Sequence, residues 1–279
     1  MRKSSPWFFL ALAVGLSWLF WVPAALWGEP EPAPLTRLLH YVGGLMPLLV
    51  AIALVYTTLG REGRRDYWRR AIDFKRIGTQ WYAVILLLVP ALTGLGILLD
   101  LLLGGHGAQL EVRFVGRPLA ILPFAIFALL FGPLPEEMAW RGYGLDRLQE
   151  SWNALTSSLV LGLVWALWHL PLFFIAGSYQ NSLMGSSFVW LFPVQVVALS
   201  VVVTWIYNHN QRSTLSAVLL HFMVNFTGEL FMLTARAEVC YTVFWVMAAV
   251  LVTLLWGPKT LTREGNRTHS DGVRFKTFA

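Results

Sequence analysis

The sequence predicts an all-α, polytopic membrane protein with about eight transmembrane helices. Three observations point there. Of its 279 residues, 57% are hydrophobic and only 13% are charged, where a soluble domain averages ~25% charged residues. The deficit is uneven, because long apolar runs alternate with short charged clusters. The cations, which give a net charge of +6, flank those runs instead of forming a groove-sized patch. They read as topology signals and not as a nucleic-acid surface.

A bilayer core of ~30 Å needs roughly 20 apolar residues per helix. Eight segments meet or approach that length: about 7–27, 38–59, 81–103, 118–134, 154–176, 188–207, 213–234 and 239–256. The first is longer than the ~7–15-residue apolar stretch of a signal peptide and precedes no convincing cleavage site, so it is expected to be a helix of the bundle. The fourth is interrupted by Gly132-Pro133-Leu134-Pro135. Residues 1–258 are read as one transmembrane domain with a motif-bearing core over 118–230. Residues 259–279 are read as a basic, mobile tail. Cys240 is the single cysteine, so no intramolecular disulfide or cysteine-rich metal site is possible.

Positive charge sets the expected orientation. Arg2 and Lys3 precede the first span, and Arg61, Arg64, Arg65, Arg69, Arg70, Lys75 and Arg76 follow the second. Arg147, Arg212 and the tail cations, Lys259 to Lys276, fall on the same side if there are eight spans. Both termini are therefore expected in the cytoplasm, with the chain in the cell membrane.

An ionisable side chain at membrane depth costs ~2.5–3.5 kcal/mol on insertion scales and is a functional candidate by default. Three groups stand out. Glu136 and Glu137 follow Pro135, which is suited to open a helix. Arg141, four residues after Glu137, can pair with it along one face, while Glu136 points about 100° away. A surface helix turn with a salt bridge would look the same. His169 ends an apolar run, Trp165-Ala166-Leu167-Trp168-His169, and a hydrogen-bonded interior histidine is its plain alternative. His221 and Asn225 share one helix face, with Glu229 a turn further on. Polar contacts between membrane helices would explain them equally. One shared polar cavity explains all three groups at once. Two imidazoles, a carboxylate and an amide can hold a water or bind a divalent metal such as zinc through Glu136, His169, His221 and Asn225.

Glu-Glu-x-x-x-Arg, aromatic-x-x-x-His and His-x-x-x-Asn, in this order on successive apolar segments, resemble the CPBP family. These are the CAAX protease and bacteriocin-processing (Abi) intramembrane endopeptidases, the type II CAAX prenyl endopeptidases among them. Trp140-Arg141-Gly142-Tyr143 and Arg147-Leu148-Gln149 fit the same pattern. The second-motif aromatic is commonly Phe in that family; here it is Trp165. The resemblance implies an eight-helix fold and an intramembrane peptidase. It implies that Glu136 activates water with His169 as the second catalytic group. His221 and Asn225 position the water or stabilise the oxyanion, and Glu137 and Arg141 support them. The family divides over a metal requirement, and no His-Glu-x-x-His zincin motif is present. The implied substrate is a prenylated protein C-terminus or a bacterial peptide or membrane protein.

Two other function classes fit the polar residues: an ion or solute transporter, and a non-catalytic scaffold. A transport path needs polar groups through to the outer face, where only Asp100, Glu229 and Arg236 are on offer. Trp165, Trp168, Phe173 and Phe174 are expected mostly to face lipid. One geometric demand follows. A fifth span starting at residue 154 puts His169 about 22 Å along its axis at ~1.5 Å per residue. Either that helix starts outside the bilayer or Glu136 also lies deep.

Overall fold

The computed structural model describes residues 5–27, 33–106, 114, 116–186, 188–231 and 233–262. Most of the tail, 263–279, lies outside these residues. The described chain is helices and turns without a β-strand. The elements are α1 (Pro6–Leu26), α2 (Pro34–Thr58), α3 (Arg61–Ile72), α4 (Thr79–Leu102), α5 (Ile121–Phe131), α6 (Pro133–Ala139), α7 (Leu145–Gln149), α8 (Ala154–Trp168), α9 (Tyr179–Ser182), α10 (Phe188–His209), α11 (Thr214–Leu230) and α12 (Ala235–Trp256). A π-helical turn, Trp140–Gly144, joins α6 to α7.

Among the described residues, seven helical stretches are long and apolar enough to cross a membrane, the 118–149 stretch counting as one. An eighth, α11, has 17 residues, at the lower end of what spans a bilayer. The architecture is thus all-α and polytopic with about eight spans. Outward-facing Leu87, Leu163 and Leu254 are exposed, as suits side chains that meet acyl chains instead of water.

Local chemistry fixes where the helices start. Pro34 opens α2, because a proline lacks the N–H that the first turn leaves unpaired. Asn153, Ser213 and Thr234 cap α8, α11 and α12 by accepting a backbone N–H with their side-chain oxygens. Two helices begin four residues before the predicted span because Pro34 and the Thr234 cap, not the last charge, set the boundaries. Arg37 accordingly lies inside α2, and Arg236 and Glu238 inside α12.

The helix carrying the carboxylate pair is central. α6 packs against α2, α5 and α11, while α10 packs against α8 and α12. α1 runs along α2, and α4 joins α11 to α12. Gly162 sets how closely α8 meets α10. A Cβ there would come within 2.9 Å of the Val197 Cα and the Ser200 Cβ, so any larger residue pushes the two helices apart.

The connections carrying the cations gather at one end of the bundle. Arg70 donates to Asp146 (2.7 Å), the Tyr207 hydroxyl (2.6 Å) and the Gly142 carbonyl (2.9 Å). Arg212 also pairs with Asp146. Arg76 donates to the Gln211 carbonyl, and the Ala154 N–H to the Lys259 carbonyl. Burial opposes the charge of Arg70, yet Tyr207 and Asp146 outweigh it and raise its pKa above the ordinary guanidinium value. At the opposite end Asp100 accepts from Arg236 (2.5 Å) and Thr234 (3.0 Å).

Candidate active site

The break at Gly132, with φ −130° and ψ −97°, ends α5 and restarts the helix as α6. The restart is at Pro133, two residues before the predicted Pro135. Glu136 alone of the two glutamates therefore lies in the first turn. The 118–149 stretch is apolar enough to cross a membrane, and Glu136 falls within it, half-buried. α8 is 15 residues long, tied at Ala154 to the charged end, and His169 follows its far end.

Glu137 and Arg141 form the pair that their spacing predicts. Arg141 Nη1 lies 2.9 Å from Glu137 Oε1, and both side chains are fully buried. The same Oε1 accepts from His221 Nδ1 at 3.0 Å. A carboxylate oxygen only accepts, so the Nδ1 proton is fixed and Nε2 is the ring's open position. Arg141 Nη2 reaches Ser200 Oγ (3.2 Å), which donates to the Ser158 carbonyl (2.8 Å). One ion pair thereby ties α6, α8, α10 and α11 together.

His169 caps the end of α8, where Pro171 and a 3₁₀ turn, Leu170–Phe174, stop the helix. Its Nδ1 is 2.7 Å from the Trp165 carbonyl, which can only accept. Nδ1 again carries the proton, and Nε2 is free to accept. Rings of Trp168 (4.7 Å) and Phe192 (5.1 Å) wall the imidazole edge-on.

Glu136 meets these groups through Trp165. The indole Nε1 donates to Glu136 Oε2 at 2.7 Å, and the ring centroid lies 5.1 Å from that of His221. Glu136 is within electrostatic reach of His221, Glu137 and Arg141, and His169 within reach of His221. Asn225 follows His221 by one turn of α11 and is half-buried. Its amide nitrogen would lie 3.2 Å from a Cβ at Gly132, so it sits over the break that starts α6. The structure thus brings Glu136, His169 and His221 around one indole, with Glu137 and Arg141 behind His221 and Asn225 beside Gly132.

One expectation is corrected. Trp165, Trp168 and Phe173 do not face lipid: they are buried, and only Phe174 is exposed. Trp168 donates from its indole to Ser17 Oγ (2.7 Å) on α1, which draws it inward. The sequence reading also missed Ser200 and the Arg70–Asp146–Tyr207 network. The legible signal for Trp165 was its place four residues before His169. Among the described residues no three His, Cys, Asp or Glu side chains are grouped so as to hold a metal ion. Of the candidate donors, Nε2 of His169, Nε2 of His221 and Oε1 of Glu136 are not taken up by the hydrogen bonds that hold these side chains.

Residues 118–227 match the profile of the type II CAAX prenyl endopeptidase Rce1-like family. Over that segment the chain is similar to this family. A "CAAX prenyl protease 2" of Methanococcus maripaludis is 29% identical over 253 residues, covering 88% of this chain and 92% of the relative. The Rce1-like core includes every residue of the predicted site. This likeness supports a membrane-embedded peptidase.

Proposed function

We propose that this chain hydrolyses a peptide bond within the membrane, using Glu136 as the general base on water. The observation that carries the reading is the gathering of Glu136, His169 and His221 around Trp165, within a bundle of long apolar helices. A general base must sit within hydrogen-bond reach of the proton it removes. Glu136 takes that proton as the water oxygen attacks the scissile carbonyl carbon. His169, held through Nδ1, offers Nε2 to the same water. The carbonyl oxygen becomes an oxyanion, which the Asn225 amide N–H stabilises as a hydrogen-bond donor while His221 helps to position the water. The C–N bond then breaks, and Glu136 returns its proton to the leaving amine.

The substrate we propose is the C-terminus of a protein carrying a prenylated cysteine, the class named for the archaeal relative. A buried site in a lipid-facing bundle suits a substrate whose lipid holds it at the membrane. The test uses purified protein in liposomes and a peptide ending in a prenylated CAAX sequence. Glu136→Ala and, separately, His169→Ala are expected to lower kcat by at least 100-fold, in the ~10²–10⁴ range for losing acid–base catalysis. Cleavage at the unaltered rate by folded variants would end the mechanism. A non-prenylated copy of the peptide cut equally well would end the substrate assignment while leaving the peptidase. If a bound ion is essential, a strong chelator abolishes activity and elemental analysis finds near-stoichiometric metal.

A further inference from the structure

We infer that Trp165 is a positioning residue whose indole N–H holds the Glu136 carboxylate in its working orientation. This rests on the reading of Glu136 as the base and adds a residue to it. Glu136 sits next to Glu137 in the chain, but the two carboxylates are held differently. Glu137 is fixed by Arg141 and His221, whereas the single hydrogen bond to the Glu136 carboxylate among the described residues comes from Trp165, at 2.7 Å. A glutamate side chain has three rotatable bonds, so one bond at its tip decides where the second oxygen points.

Trp165 is itself held from several sides. It is buried, its ring is covered by the Arg141 guanidinium at 4.7 Å, and the edge-to-face contact with His221 fixes its plane at 77° to the imidazole. Its carbonyl orients His169. One rigid residue on α8 therefore sets both Glu136 of α6 and His169. With Oε2 bound by the indole, Oε1 is the oxygen left to take the proton from water. A phenylalanine would fill most of the same space without the donor, leaving Glu136 free to rotate.

The test separates the N–H from the ring. Trp165→Phe removes the donor and some bulk. Incorporating 3-benzothienylalanine at position 165 replaces the N–H by sulfur at nearly unchanged shape, so packing and folding are retained. Both are measured in liposomes beside Glu136→Ala. The expected result is a kcat lowered roughly 10- to 100-fold, the range for losing one hydrogen bond to a charged group, with KM within twofold and the melting temperature of the benzothienyl protein unchanged. Full kcat in the benzothienyl protein, with Glu136→Ala inactive, overturns the positioning role and leaves the hydrolase reading intact. Cleavage by Glu136→Ala overturns both, because there is then no base to position. A raised KM with unchanged kcat also overturns it, since that outcome marks a binding role.

Discussion

Oxygen Oε1 of Glu137 serves two partners at once, the Arg141 guanidinium and the His221 imidazole. Removing one member of a fully buried pair strands the other charge, which costs about 3–5 kcal/mol. Arg141→Ala is therefore expected to unfold in detergent well below the parent temperature. Arg141→Ala and Glu137→Ala together should cost much less than the sum, a non-additivity that a double-mutant cycle reads directly. The i,i+4 spacing made this pair legible in the sequence, because helical periodicity alone brings residues 137 and 141 onto one face. That His221 would join it was not legible. The spacing of His221 and Asn225 gives their common face, and nothing in it says that the face turns toward α6. The role of Trp165 was hidden for a related reason. An aromatic residue in an apolar run carries the same pattern whether it meets lipid or donates to a carboxylate.

Helix α8 shows how an element turns a small residue into site geometry. Gly162 brings α8 against α10, and Trp165 is three residues further along the same helix. Gly162→Val would drive side-chain atoms into the Val197 backbone, which has no rotamer with which to yield. It is expected to destabilise by about 1–3 kcal/mol, the usual cost of overpacking, and to lower kcat by moving Trp165 away from Glu136. Gly15→Ala is the control. A Cβ there meets nothing within 4 Å, and the change should be neutral or stabilise by up to about 1 kcal/mol, since alanine loses less backbone entropy in a helix. Thermal melts in one detergent compare the two. The π-helical turn Trp140–Gly144 had no counterpart in the reading of periodicity, which treats a helix as regular. Its extra residue turns Leu145 and Asp146 relative to Glu137, and Asp146 thereby reaches Arg70, Tyr207 and Arg212.

At the scale of the whole molecule, the loops after α2, α7 and α10 and the segment after α12 converge at one end of the bundle, and Asp100 and Arg236 mark the other. We propose that the cation-rich end faces the cytoplasm, the side on which Lys and Arg are enriched in membrane proteins. In a Cys240→Ser background, Leu103→Cys in intact cells should react with a membrane-impermeant maleimide, and Glu150→Cys only after permeabilisation. The reverse pattern would invert the topology. The helix count, the approximate spans and the identity of the costly polar residues were all set by the sequence itself. Hydrophobic length and the price of a buried charge are local properties that any stretch of chain carries with it. Which oxygen of which carboxylate meets which ring was decided only by the tertiary structure. Those contacts join residues 29 and 84 positions apart, and packing between helices, not the pattern within any one of them, selects their partners.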